Sequence, residues 1–119
     1  MPRHITNPSI IKAAGNKPKL IEEFIGHVNS ENSEISVARM QSPLGWIEPG
    51  QTPEFDEYTL VLSGSLSVKS GDEEFVVREN EAFIAEKGKT YQYSTPNQGA
   101  TYIAICLPAF HPDLVHREE

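Results

Sequence analysis

Residues 50–66 read GQTPEFDEYTLVLSGSL. From Asp56 the pattern is that of a strand. Side chains alternate along an extended chain, so Glu57, Thr59 and Val61 share one face and Tyr58, Leu60 and Leu62 share the other. Gly64 and Ser65 then bend the chain into a second short run, Leu66 to Val68. The first part, GQTPEF, belongs to a longer stretch, 42–55, that holds three prolines and two glycines. That composition predicts an ordered loop or a kinked strand.

The same rhythm continues on either side. Downstream, KSGDEE (69–74) reads as a hairpin tip, and FVV (75–77) returns from it. EAFIAE (81–86), TYQYS (90–94) and ATYIAICLP (100–108) follow as strands, separated by REN, KGK and TPNQG. Upstream, SEISVARMQ (33–41) alternates as a strand does, and LIEEFIGHV (20–28) is an apolar run broken by paired acids. NPSIIKAAGNKP (7–18) carries helix punctuation: Asn7 can cap, Pro8 suits the first position and Gly15 can end it. The expectation there is a short helix or an irregular turn. Eight or nine short strands with turns every eight to twelve residues predict an all-β antiparallel sandwich or small barrel.

A chain of 119 residues suits one domain, here 1–119, with an N-terminal arm (1–19), a barrel (20–108) and a tail (109–119). The net charge of −7 repels phosphate backbones, so nucleic acid is not an expected partner. No apolar run is long enough for a membrane helix, and the start has no secretory pattern. The single cysteine, Cys106, cannot form an internal disulfide. It reads as a small buried hydrophobe in a reducing compartment, so a cytoplasmic location is expected.

Two spacings resemble the motifs of the cupin superfamily. The first cupin motif runs Gly, five residues, His, one, His, three or four, Glu, six, Gly. This chain has Gly45, Gln51, Pro53, Glu57 and Gly64 at those positions, with both histidines replaced. The second runs Gly, five, Pro, one, Gly, two, His, three, Asn, and here the positions hold Asn80, Glu86, Gly88, Tyr91 and Thr95. The segments FDEYTLVLSGSLSV and IAEKGKTYQYSTP are most similar to the cupin domain of the ethanolamine-utilisation Q type. The resemblance covers about residues 35–108. It implies a double-stranded β-helix, or jelly roll, that pairs into a homodimer through outer apolar strand faces.

The resemblance also turns Glu57 inward, at the place of a metal carboxylate, with Tyr91 and Tyr93 on an inward face and Gln51 at the first histidine position. Glu23 and Arg39 join as charged residues in otherwise apolar or small-residue strands, and Trp46 as a core or ligand-stacking aromatic. Glu57 and Tyr91 are the expected catalytic centre, and Gln51, Arg39, Glu23, Tyr93 and Trp46 the expected ligand contacts. Imidazole is what a transition metal prefers, and none stands in either motif. The expectation is therefore a barrel that binds a small molecule without a cofactor. A metal-dependent isomerase or oxygenase remains the alternative, with Glu57 as ligand and His116 or His27 as the histidine that would fold into the mouth, and a filled structural barrel is a third. A carboxylate buried beside tyrosines loses hydration and can serve as an acid–base group.

Overall fold

The computed structural model describes residues 2–118. Eight strands form in chain order: β1 (Ser9–Ile11), β2 (Leu20–Ile25), β3 (Ser36–Ser42), β4 (Asp56–Ser70), β5 (Glu73–Arg78), β6 (Ala82–Ala85), β7 (Gln92–Ser94) and β8 (Ala100–Leu107). One helical turn, α1 (Pro112–Val115), follows them. All pairings are antiparallel. One sheet runs β1-β2-β3-β8-β4-β6, and the other places β5 and β7 on the two sides of the far half of β4.

The 50–66 stretch organises this. Its strand does not stop at Gly64. β4 continues for 15 residues, pairing with β8 and β6 up to Gly64 and with β5 and β7 from Ser65 onward. The bend is real, however. Gly64 has φ +79°, and a Cβ there would collide with the carbonyl of Gly99. Glycine alone adopts this conformation without strain and leaves room for the approach.

Alternation sorts the faces as the sequence predicts. Glu57, Thr59 and Val61 are buried, while Tyr58, Leu60 and Leu62 are 39%, 45% and 43% exposed. On the inner side, Trp46, Val61, Leu66, Val68, Tyr91, Tyr93 and Tyr102 form the main core. Residues 42–55 form an ordered loop tied to β7 by isolated bridges at Ile47–Ser94 and Gln51–Tyr91. Thr95 anchors its start: the amide of Gly45 donates to the Thr95 carbonyl, and the Thr95 hydroxyl donates to the carbonyl of Pro43.

The N-terminal segment differs from the sequence reading. No helix forms in 7–18. Ser9–Ile11 instead pairs with Ile21–Glu23 of β2, and bends follow at 15–17. Two adjacent β-branched residues, Ile10 and Ile11, fit a sheet edge better than a helix. A free edge offered by β2 outweighs the local capping pattern.

Candidate functional site: a charged cavity between the sheets

A cavity of about 50 Å³ opens between the sheets. Five strands send it side chains of their inward faces: Glu23 from β2, Ser36 and Ala38 from β3, Glu57 from β4, Tyr93 from β7, and Tyr102 and Cys106 from β8. The 42–55 loop adds Glu48, Gln51 and Phe55, and the tail adds Phe110 and Arg117. Lys19, just before β2, completes the set.

The tail reaches the cavity because it is hydrogen-bonded to the loop. The amides of Thr52 and Glu54 donate to the carbonyls of His116 and Leu114, and the amide of Glu118 donates to Gly50. α1 begins at His111, whose Nδ1 accepts from the Asp113 amide, and ends at His116 in a left-handed conformation. The reversal there aims the following residue, Arg117, into the barrel.

The charges are buried close together. The Lys19 ammonium lies 4.0 Å from Oε1 of Glu48, both side chains being 6% exposed, and 4.3 Å over the Trp46 ring. Burial alone would lower the Lys19 pKa, but Tyr102 and Glu48 outweigh it and raise it, so the ammonium stays charged. Burial raises the Glu48 carboxyl against the pull of Lys19 and Arg117. Glu57 is pushed up to about 7, first by burial and then by the charge of Glu48, with Lys19 and Arg117 opposing. Burial, reinforced by Glu57 and Glu48, holds the Tyr93 phenol well above its ordinary range, so it remains a donor. Burial does the same to the Cys106 thiol, which faces Glu57 across the β4–β8 ladder and is not a nucleophile at neutral pH. Two polar atoms in this cavity lack a partner among the described residues: the Tyr93 hydroxyl and Nε of Arg117. Buried polar groups are nearly always satisfied, so each such orphan asks for an explanation.

Of the residues expected from sequence, Glu57, Gln51, Tyr93 and Glu23 line the cavity. Glu23 is already engaged: its Oε2 accepts from the amides of Val28 and Asn29, which fixes the turn after β2. Three other expected residues do not line it. Tyr91 shares its face with Tyr93 but lies beyond the cavity, packed edge-on to Phe83, with its hydroxyl donated to the carbonyl of Glu86. Arg39 points outward, because alternation in β3 sends Ala38 in. Its Nε donates to Glu22 at 2.9 Å on the outer face, and its guanidinium lies over Phe24. Trp46 is fully buried core, its indole N–H donated to the carbonyl of Ala14.

Neither His116 nor His27 enters the barrel. His116 pairs with Glu54 on the surface, and His27 stacks edge-on with His111. The sequence motifs do not mark Lys19, Glu48, Tyr102 or Arg117. Each of the three charged residues sits in a loop or tail, where no periodicity marks it.

Among the described residues, no three His, Cys, Asp or Glu side chains come together as a ligand set. Of the cupin motif positions, only Gln51 and Glu57 face the cavity. Pro53 has no ligating side chain, and Tyr91 is turned away.

No family model matches the chain. It is 42% identical over 101 residues to the endoribonuclease YbeY of Myxococcus xanthus strain DK1622. That alignment covers 84% of this chain, but the chain spans only about a third (34%) of that curated relative's length. Among solved structures, the polyketide cyclase RemF from Streptomyces resistomycificus aligns over 100% of this chain and 86% of its own, with TM-score 0.76 and 18% identity. An RmlC-like cupin from Shewanella frigidimarina NCIMB 400 aligns over 90% and 89%, with TM-score 0.72 and 14% identity. The EutQ protein of Clostridium difficile aligns over 76% and 63%, with TM-score 0.66 and 20% identity. The eight antiparallel strands, the shared long β4 and these superpositions together make the chain a cupin-type barrel, with EutQ among its structural neighbours.

Proposed function

We propose that this barrel binds a small polar molecule and that Glu57 exchanges a proton with it, with Tyr93 rather than Tyr91 as the hydrogen-bond donor. One observation carries this: a buried carboxyl that titrates near neutrality faces the same cavity as a phenol without a partner. A group whose pKa lies near the working pH is suited to general acid–base catalysis. The cupin fold hosts many activities and selects none of them. A metal-dependent reading finds no ligand set to rest on. The endoribonuclease activity in the relative's name belongs to a protein of which this chain matches a third, and a net charge of −7 gives this third little attraction for RNA.

The outer face supports a homodimer. Tyr58, Leu60, Leu62 and Ile84 are all more than a third exposed on adjacent strands. Sedimentation of wild type and Leu60→Glu tests this pairing, which requires a dimer that the variant dissociates. No helix of the described residues is long and apolar enough to cross a membrane, and a cytoplasmic location is proposed from the free thiol.

The binding role is tested by a thermal-shift screen with acids, sugars and amines on wild type and Glu57→Gln. A ligand that stabilises both proteins, but shows a pH-dependent affinity near neutrality only in wild type, is the expected result. Failure of every compound to stabilise the wild-type protein would remove the basis of the reading.

A further inference from the structure

We propose that the ligand of this cavity is a small carboxylic acid, bound as the carboxylate by Nε of Arg117 and the hydroxyl of Tyr93. This rests on the binding role proposed above and names its substrate class. The two unpartnered buried atoms in the cavity are both donors. Tyr93 is only 4% exposed. Its phenol is held protonated by burial, and an arginine is always charged. Two inward donors with no acceptor define the missing partner as an acceptor, and a charged acceptor satisfies Arg117 best.

The charges around the site agree. Lys19 and Glu48 answer one another at 4.0 Å. Glu23 is spent on two backbone amides. Lys19 and Arg117 thus face the carboxylates of Glu23 and Glu48, and with Glu57 in its acid form the lining carries no excess negative charge to repel a bound carboxylate.

The volume limits the acid to a small one. About 50 Å³ corresponds to about four water-sized groups, enough for a two- or three-carbon acid and too little for a sugar. The carboxylate also favours the protonated form of Glu57, since the two negative charges would otherwise repel at close range. Binding at pH 8 therefore draws a proton onto Glu57.

Isothermal titration calorimetry tests this with glycolate, pyruvate and the neutral isostere glycolamide, in two buffers of different ionisation enthalpy at pH 8. Glycolate or pyruvate is expected to bind about ten- to a hundredfold tighter than glycolamide, the range of a charge-assisted hydrogen bond, and to take up close to one proton. Arg117→Gln is expected to erase the preference for the acid. Tyr93→Phe, which keeps the core volume, is expected to lower it about tenfold if the phenol donates. Glu57→Gln is expected to keep the preference and lose the proton uptake. Acid preference without proton uptake in wild type supports the carboxylate site and refutes the proton exchange assigned to Glu57. Glycolamide binding as well as glycolate, an Arg117→Gln variant that retains the preference, or no binding of either acid overturns the carboxylate site.

Discussion

Replacing Glu57 with glutamine should make the protein more stable, and only at the higher pH values. The carboxyl stands at about 7 in the folded protein against 4.5 when unperturbed. The folded state therefore holds this proton more tightly than the unfolded chain does. Between about pH 4.5 and 7 the folded state binds more protons, so stability falls as pH rises through that window and levels off above it. Each pKa unit is worth about 1.4 kcal/mol, which gives a loss of about 3 kcal/mol by pH 8. Glutamine resembles the protonated acid in shape and cannot ionise. Glu57→Gln should match wild type near pH 4.5 and exceed it by about 3 kcal/mol at pH 8, on the order of 10 °C in melting temperature for a chain of this length. Urea unfolding of both proteins at intervals between pH 4.5 and 8 measures the gap directly, and the comparison cancels the other titrating groups. Parallel stability curves for the two proteins would refute the reasoning, because they would mean that Glu57 titrates alike in the folded and unfolded chains.

Three further perturbations have defined outcomes. Gly64→Ala must accept both a left-handed backbone and a collision with Gly99; a loss of about 3 kcal/mol or more is expected in denaturant unfolding. Glu23→Ala removes the acceptor of two amides and should cost about 3 kcal/mol, with faster hydrogen exchange at Val28 and Asn29 as its signature. Arg39→Ala, on the outer face with a half-exposed guanidinium, should cost no more than about 1 kcal/mol and leave the affinity of any cavity ligand unchanged.

The strands were legible because a half-buried strand writes its period into the sequence. Glu57, Thr59 and Val61 against Tyr58, Leu60 and Leu62 is such a case, and the faces came out as the alternation requires. The motif spacing and the cavity lining coincide at Gln51 and Glu57, because both lie on segments whose register the neighbouring strands fix. Alternation cannot give depth along a strand, however. Tyr91 and Tyr93 share a face, yet only Tyr93 reaches the cavity. Arg39 misled because an isolated charge among small residues looks inward until the phase of β3 is known. Lys19, Glu48 and Arg117 sit in the segments flanking the strands. The approach of Arg117 depends on the pairing of the tail with residues 50–54, contacts between positions sixty or more residues apart that no local pattern encodes.

β4 belongs to both sheets, and this shapes how the molecule can come apart. Four other strands, β5, β6, β7 and β8, bond directly to it, and β3 joins through β8. Neither sheet can open while the other stays whole, because the same backbone would have to be ordered along half its length and released along the rest. Amides of β4 should therefore exchange with solvent only through the global opening, as one cooperative unit. β1, held by three residue pairs at the sheet edge, and the tail that carries Arg117 stand outside that unit and can open alone. The permanent cation of the cavity thus sits on a separately releasable segment, while Glu57 sits on the least releasable strand of all.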